Sequence, residues 1–294
     1  MKLAYSANAY MRFPVDEAIR RIAGLGYRGI ELMFDTPHAW PEDVTPADVA
    51  GIRRALEQTG LEIANVNAFM MNKINDPRQP YWHPSWIEPD KAYRQVRIDH
   101  TIRSLTLARE LGVDHISTEP GGPIESEDQR AAAMDTFAEM LGPVLDHAAK
   151  QRVKLMIEPE PGLLIENLAQ FLDLRERIDS PWLGLNYDVG HFFCVSEPLG
   201  ETIRRLGPQI DHVHVEDIAA SRVHHHLVPG DGAIGFAEVF DALDAIGYDG
   251  WVTVELYPFV EDPDTAGRRA REHLLPFVSK NPNCGDEGTA DERR

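Results

Sequence analysis

The sequence is poor in cysteine and in basic residues, and each shortage argues against a class of protein. Only Cys194 and Cys284 occur in 294 residues, which is too few for a disulfide framework and typical of a reducing cytosol. The 29 Lys and Arg residues stand against 48 Asp and Glu residues, for a formal net charge of -19. This balance argues against a nucleic acid or a membrane surface as the main partner, because both attract basic patches.

Long hydrophobic runs are also missing. No apolar run approaches the roughly 20 residues that a membrane-spanning helix needs. The first residues, Met1 to Asn8, are too polar to form the apolar part of a secretory signal. We therefore expect a cytoplasmic protein that handles small molecules or cations.

The sequence does contain a regular alternation of short strands and amphipathic helices. This unit recurs through the chain and gives eight strands, each followed by a helix, in about 280 residues. We predict a single-domain α/β protein, a (β/α)8 TIM barrel over residues 1–279, and a polar tail, 280–294, that we expect to be disordered. A doubly wound open sheet is the alternative, but it ordinarily stops at five or six strands. No glycine-rich phosphate loop follows the first strand to support it.

One connection is much longer than a turn requires. The loop at about 70–90 is rich in proline and tryptophan, and it includes Trp82 and Trp86. A loop of this length inside a compact domain is usually functional. We interpret it as a lid over a site, and a packed surface excursion is the alternative.

The predicted seventh strand, Ile210 to Val215, carries two histidines. Alternation places His212 and His214 on the same face of this strand. They are either a pair of core histidines bonded to neighbours or a metal ligand with a polar companion. Glu216 or Asp217, which follow directly, is expected to orient a ligand histidine.

Four consecutive predicted strands end on residues that can bind a metal. From strand five to strand eight they are Glu158, Asp188, His214 and Glu255. Singly, such charged groups at strand ends are usually salt bridges or helix caps. Because the C-terminal ends of barrel strands meet at one mouth, we expect all four side chains to converge. Clustered carboxylates repel one another unless a cation or protons compensate them, and an oxygen-rich set with one imidazole suits Mn²⁺, Mg²⁺ or Co²⁺.

Five short motifs give the chain a family resemblance. They are Ile157-Glu158-Pro159, Asp188-Val189-Gly190-His191, His212-Val213-His214, Val254-Glu255 and Val228-Pro229-Gly230-Asp231-Gly232. With these motifs the chain resembles the xylose isomerase-like barrel superfamily, in its sugar phosphate isomerase/epimerase branch. That branch includes ketose 3-epimerases, hydroxypyruvate isomerases and inosose dehydratases. The resemblance spans about residues 1–279, and it is specific for the superfamily but weak for any one reaction.

The resemblance implies one divalent metal, first of all Mn²⁺ with Co²⁺, Mg²⁺ or Zn²⁺ as alternatives, held by the four strand-end residues. It also implies that His191 contacts the substrate. His226 stands where the epimerases carry a substrate-contacting arginine, and an imidazole cannot reproduce the bidentate grip of a guanidinium. Leu164 stands where they carry a second glutamate. A ketose 3-epimerase in the strict sense is therefore not expected.

The expected function is a divalent-metal-dependent isomerase or epimerase that acts on a keto-sugar. A metal that bridges a carbonyl and the adjacent hydroxyl acidifies the neighbouring C–H, because it stabilises an enediolate. Glu158 and Glu255 are then the catalytic residues, one removing the proton and the other returning it. If a β-hydroxyl or glycosidic oxygen leaves instead, the site becomes a dehydratase or lyase for a keto-sugar or an inosose-like compound. The acid for that step would come from His224-His225-His226.

Further polar residues are candidates for substrate binding. Glu119 ends the fourth strand and is expected either to bind a substrate hydroxyl or to cap the next helix. The others are His225, His226, Asn67 and Trp86, in keeping with the polar and aromatic lining that a sugar needs. No dense cluster of Lys and Arg marks a phosphate pocket, which favours a neutral or keto-sugar.

Two other functions share this architecture. An apurinic endonuclease needs additional histidines on strands three and four, but Asn65 to Phe69 contains none and Glu119 replaces the expected histidine. A catalytically silent sugar-binding barrel would have no need of all four metal positions. We expect a small-molecule sugar as the partner, no nucleic acid and no membrane. The chain could also form a homo-oligomer, and the sequence leaves this question open.

Overall fold

Parallel strands run in chain order around a closed barrel, and the eighth strand pairs with the first. This computed structural model describes residues 1–78 and 82–278. The strands are β1 Lys2–Ser6, β2 Gly29–Met33, β3 Glu62–Asn67, β4 His115–Thr118, β5 Lys154–Ile157, β6 Leu183–Asp188, β7 Ile210–Val215 and β8 Trp251–Val254. The predicted (β/α)8 barrel is confirmed, and the predicted tail at 280–294 lies outside the described residues.

Helices connect the strands on the outside of the barrel. Those of the described residues are α1 Val15–Gly24, α2 Pro46–Thr59, α3 Lys91–Leu111, α4 Arg130–Gln151, α5 Leu168–Arg177, α6 Val189–Cys194, α7 Leu199–Leu206, α8 Phe236–Ala245 and α9 Pro263–Val278. The short α6 was not predicted, since the sequence analysis read its first residues only as a motif. None of the helices within 1–78 and 82–278 combines the length and apolar character that crossing a bilayer requires.

Local sequence signals fix where these helices begin and end. Thr45 and Asp48 form a reciprocal capping box at the start of α2, with Pro46 in its first turn. Gly60 ends that helix with φ of 68°, a left-handed conformation in which glycine carries no steric cost. The chain therefore leaves α2 in the direction of β3 at a defined point.

The two histidines of β7 share one face of the strand but have different neighbours. Val213 and Val215 are fully buried in the hydrophobic core. His212 lies deeper in the barrel, where its Nε2 is 2.9 Å from the hydroxyl oxygen of Thr253. It is thus a core histidine, whereas His214 lies nearer the C-terminal end of the strand, beside Glu158. A metal-ligand role for His214 stays a prediction.

The long connection between β3 and α3 is anchored to the barrel by one buried arginine. Arg97 of α3 donates hydrogen bonds to the carbonyl oxygens of Pro84, at 2.5 Å, and of Phe69, at 3.1 Å. Within the connection, Arg78 forms ion pairs with Asp76 at 2.8 Å and with Glu88 at 3.1 Å. Residues 79–81 of the predicted lid lie outside the described residues.

Candidate metal centre

A cavity of about 210 Å³ opens at the C-terminal ends of the strands. Its walls combine carboxylates, imidazoles and aromatic rings. The lining residues are Asn67, Phe69, Met71, Trp82, Glu158, Glu160, His191, His224, His226, Glu255 and Tyr257. A concave lining in which polar groups converge beside aromatic side chains makes this cavity a candidate pocket for a small polar molecule.

The four predicted ligands converge beside this cavity, and two of them, Glu158 and Glu255, line it. His214 Nδ1 lies 2.9 Å from Glu158 Oε1, 3.9 Å from Asp188 Oδ2 and 3.9 Å from Glu255 Oε1. One potential ligand atom from each residue lies within 4.8 Å of all the others. We refer to the carboxylates of Glu158, Asp188 and Glu255, together with Glu216 beside them, as the carboxylate cluster.

A glutamate that the sequence analysis missed holds the ring of His214. Glu31 on β2 lies 2.6 Å from His214 Nε2, and both residues are fully buried. Ser6 and Asn65 donate to the two oxygens of Glu31, at 2.5 and 2.7 Å. Because Nε2 is engaged on the β2 side, Nδ1 is the nitrogen that faces the carboxylates. Such a partner on the far ring nitrogen is usual for a histidine that binds a metal.

Burial and mutual repulsion shape the charges of the cluster. Burial raises the pKa of Glu158 and, to well above its usual range, that of Glu255, although His214 opposes both shifts. Burial opposes the positive charge of His214, but the carboxylates of Glu158, Glu31 and Glu255 raise its pKa well above the ordinary value. Neutral amides complete the contacts, since Asn186 donates to Glu158 at 2.8 Å and Asn8 to Glu255 at 2.9 Å. The cluster is thus short of positive charge.

Asp188 and Glu216 have buried oxygens that no donor satisfies. Asp188 Oδ1 accepts from the backbone N–H of His191 at 2.7 Å and so caps α6, whereas its Oδ2 has no hydrogen-bond donor. Neither oxygen of Glu216 has a donor, and burial together with the nearby Asp188 carboxylate raises the pKa of Glu216 well above its usual range. Glycine at position 190 leaves the space that Glu216 occupies, because a Cβ there would lie 1.6 Å from Glu216 Oε1.

Three histidines form a second group, which we call the histidine cluster: His191, His224 and His226. One ring nitrogen from each lies within 4.8 Å of the other two. Burial lowers the pKa of His191 and of His224 to about 3, and that of His226 well below its ordinary value. All three imidazoles are therefore neutral at pH 7.

Of the six residues predicted to bind substrate, three line the cavity and three do not. Asn67, His191 and His226 line the cavity, as expected. Three others do not line it. Trp86 is fully buried against Phe137, with ring centroids 5.7 Å apart, Glu119 is buried beside Arg97, and His225 is exposed.

Sequence reasoning missed several lining residues. Glu160 follows two positions after Glu158, and its carboxyl lies 3.4 Å from His224 Nδ1. Of the two tryptophans in the loop at about 70–90, Trp82 rather than Trp86 lines the cavity. The Glu158-Pro159-Glu160 spacing is the one local signal that could have pointed to Glu160, since alternate residues after a strand can face the same way.

A sequence model of the xylose isomerase-like TIM barrel family matches residues 19–276. The chain belongs to this family. Among curated relatives it is 25% identical to a fructoselysine 3-epimerase of Shigella flexneri, covering 94% of this chain and 99% of the relative. It is 26% identical to an inosose dehydratase of Geobacillus thermodenitrificans, with 78% and 81% covered.

The same fold occurs in solved structures of other proteins. A D-tagatose 3-epimerase-like protein has a TM-score of 0.79 at 21% identity, covering 95% of this chain and 97% of that one. The IOLI protein, whose crystal structure holds a zinc atom, has a TM-score of 0.77 at 20% identity, covering 95% and 99%. The suspected membership in the sugar isomerase and epimerase superfamily is confirmed.

Proposed function

We propose that the protein is a divalent-metal-dependent isomerase or epimerase of an uncharged keto-sugar. The observation that carries this proposal is the convergence of His214 Nδ1 with the oxygens of Glu158, Asp188 and Glu255 beside the cavity. The relatives support the class of reaction, since they are named as sugar epimerases and dehydratases. No Lys or Arg is among the residues described as lining the cavity, which disfavours a phosphorylated substrate.

The residues present fit a divalent cation. Asp188 Oδ2 is buried without a donor, and the buried carboxylates nearby have one imidazole to share between them. Three oxygens and one nitrogen form a hard, mixed donor set, for which we favour Mn²⁺, with Co²⁺, Mg²⁺ or Zn²⁺ as alternatives. When bound there, the cation would stabilise the negative charge that develops on substrate oxygens.

The chain's own residues account for the proton transfers. Glu158 comes from β5 and Glu255 from β8, so their carboxylates approach the cavity from different strands. One removes the proton next to the substrate carbonyl, and the other returns a proton to the same or the neighbouring carbon. Asn186 and Asn8 orient these carboxylates by donating one hydrogen bond to each. His191, His226 and Asn67 are placed to contact substrate hydroxyls.

Elimination is the second candidate reaction, and Glu160 favours it. Burial and the neighbouring Glu158 and Glu255 carboxylates raise the pKa of Glu160 well above its usual range, which favours the protonated form of this carboxyl in the cavity. A protonated carboxyl can deliver that proton to a departing oxygen. The neutral histidines beside it are poor acids at pH 7. Glu160 therefore replaces the predicted His224-His225-His226 as the general acid for elimination.

A hydrogen-exchange screen tests the proposal. The Mn²⁺-loaded protein is incubated in D₂O with a panel of neutral keto-sugars, and products are followed by NMR and mass spectrometry. We expect solvent deuterium at the carbon next to the carbonyl, together with an epimer or isomer. Loss of water or of an aglycone would select elimination instead. No exchange and no turnover on any keto-sugar, with metal bound, would overturn the proposal.

The place of action is part of the same proposal. The scarcity of cysteine and the family's chemistry support a cytoplasmic enzyme. The strong negative charge disfavours the apurinic endonuclease reaction, as does a cavity whose described lining residues include neither Lys nor Arg.

A further inference from the structure

The segment that follows β3 carries a strained residue between two residues of the cavity wall. Phe69 and Met71 both line the cavity. Met70 lies between them, is fully buried, and has φ of 64°, in the left-handed region that residues with long side chains rarely adopt. A strained conformation of this kind persists only where the surrounding structure enforces it. The contacts on either side of Met70 therefore decide how the two wall residues are placed.

The chain before Met70 is fixed by two side chains. Phe69 donates its backbone N–H to the side-chain oxygen of Asn67 at 3.1 Å. The carbonyl oxygen of Phe69 accepts from the guanidinium of Arg97, also at 3.1 Å. Both backbone groups of the residue directly before Met70 are therefore held.

The chain after Met70 is held by one buried carboxylate, that of Asp35, which follows β2. Asp35 Oδ2 accepts from the backbone N–H of Asn72 at 2.5 Å, and Oδ1 accepts from that of Lys73 at 3.0 Å. Oδ1 also accepts from the N–H of Thr36 at 2.7 Å, which ties the carboxylate to its own turn. Two successive N–H groups of the segment thus converge on a single side chain that is fixed in place.

Asp35 differs from another acidic partner of this segment, Asp43. The carboxylate of Asp43 pairs with the Lys73 ammonium at 2.5 Å, where the two side chains are 58% and 39% exposed. An exposed pair of this kind contributes little to a fixed conformation, because solvent screens it and ordering the side chains costs entropy. Asp35 instead binds backbone N–H groups and is fully buried. Of these two acids, Asp35 is the one that can enforce the strain at Met70.

We propose that Asp35 is a positioning residue for substrate binding, which holds Met70 in its left-handed conformation and so keeps Phe69 and Met71 in the cavity wall. The inference rests on the proposed function, because it gives this wall a keto-sugar to contact. The carbon skeleton of a sugar packs on apolar side chains, while its hydroxyls bond to the polar ones. Asp35 acts through the segment, since it is not among the residues described as lining the cavity.

Asp35→Asn tests this role in the Mn²⁺-loaded full-length protein. The amide keeps the shape of the side chain, but its NH₂ group replaces one of the oxygens that accept from Asn72 and Lys73, so a donor faces a donor. With the keto-sugar that turns over in the hydrogen-exchange screen, we expect KM to rise about tenfold and kcat to change by less than about threefold. The carboxylates that transfer protons are unchanged, and the Mn²⁺ bound per chain should match the wild type.

Amide hydrogen exchange, followed by NMR, gives a second readout that needs no substrate. The N–H groups of Asn72 and Lys73 should exchange at least about tenfold faster in Asp35→Asn, because the local structure that protects them opens more often. Asp43→Asn is the matched control, since it removes the carboxylate that pairs with the Lys73 side chain and leaves the backbone contacts in place. This control should keep the wild-type KM and the wild-type exchange rates.

Wild-type exchange at both amides in Asp35→Asn would overturn the proposal. A loss of stability with an unchanged KM would also overturn it, because Asp35 would then support only the fold. If circular dichroism shows Asp35→Asn to be unfolded, Asp35→Ser replaces it, since a hydroxyl can rotate to accept and avoids the facing donors. A failure of the proposed function would appear differently, as a wild-type protein that turns over no keto-sugar while its Asn72 and Lys73 amides remain protected by Asp35.

Discussion

Two groups of buried carboxyls lie toward the same end of the barrel, and their charges are compensated in different ways. Glu119 faces the guanidinium of Arg97 at 3.4 Å, and both side chains are fully buried. Arg97 also holds the carbonyls of Phe69 and Pro84, so that pair ties the lid segment to α3. Among the described residues, the carboxylate cluster has His214 as its one cationic partner, shared with Glu31. The first group pairs one carboxyl with one guanidinium, whereas the second group shares one imidazole among several carboxyls.

This difference in charge compensation indicates a structural role for the Arg97–Glu119 pair and a functional role for the carboxylate cluster. A buried ion pair that also satisfies backbone carbonyls fixes a conformation, and removing one partner leaves a charge unpaired. Buried carboxylates without enough cations lower stability until a metal or protons arrive, which is a cost typical of a functional site. Variants of the two groups should therefore change different measured quantities.

Glu158→Gln should have the largest effect, and it should fall on turnover. The amide keeps the shape of the carboxyl but cannot take a proton at neutral pH, so we expect turnover to fall by about 10²- to 10⁴-fold. The free energy of unfolding of the metal-free protein should stay the same or rise, because one repelling carboxylate is gone. Steady-state kinetics and urea unfolding measure the two. A variant that keeps its turnover and loses stability would reverse the roles assigned here.

Arg97→Met should act on stability instead. It leaves the carbonyls of Phe69 and Pro84 without their donor and Glu119 without its cation, and we expect a loss of about 3 to 5 kcal/mol in the free energy of unfolding. Adding Glu119→Leu to this variant removes the unpaired carboxyl and should restore part of the loss. Urea unfolding of the single and double variants measures both changes. An equal loss of unfolding free energy in the single and the double variant would show that the ion pair itself contributes nothing to stability.

Glu119, the acidic member of the Arg97–Glu119 pair, should also make the free energy of unfolding depend on pH. Burial raises the pKa of Glu119 to about 7, against the lowering influence of Arg97, whereas the unfolded chain titrates near 4.5. Between these values the folded state binds more protons, so the contribution of Glu119 is present below pH 4.5 and is lost as the pH rises through 7. The difference in unfolding free energy between wild type and Glu119→Gln should fall by about 3 kcal/mol over this range. A constant difference would mean that Glu119 is ionised throughout.

Trp82→Ala should have the smallest effect, and it separates the lid from the core. Trp82 lines the cavity, so we expect KM to rise about tenfold, or about 1.4 kcal/mol, with little change in stability. Trp86→Ala is the matched control, because Trp86 is fully buried against Phe137 and should lose about 3 to 5 kcal/mol of stability. Kinetics and thermal unfolding compare the two. An unchanged KM in Trp82→Ala would count against the lid.

The barrel and the convergence of its strand ends were predictable from local patterns. Strand and helix periodicity gives the repeat, and barrel topology then brings residues at consecutive strand ends to one mouth. That is why Glu158, Asp188, His214 and Glu255 were found together without any structure.

Contacts across the barrel were not predictable in this way. Glu31 lies on β2 and meets His214 on β7, a pairing that depends on the register and tilt of every strand between them. The loop at about 70–90 is held by hydrogen bonds from the Arg97 guanidinium to the backbone carbonyls of Phe69 and Pro84, and no sequence period encodes such contacts. Trp86, predicted to face the cavity, is buried in the core, and Trp82 lines the cavity.

The close approach of Gly190 to Glu216 limits how this pocket can evolve. A Cβ at position 190 would lie 1.6 Å from Glu216 Oε1 and 3.0 Å from a side-chain carbon of Ile218, so residue 190 can grow only if residue 216 shrinks. In a library randomised at both positions, folded variants should divide into two classes, glycine with glutamate and a larger residue with a small one. Only the first class keeps the Glu216 carboxyl beside Asp188, so that a pair of positions distant in the chain varies as a single unit.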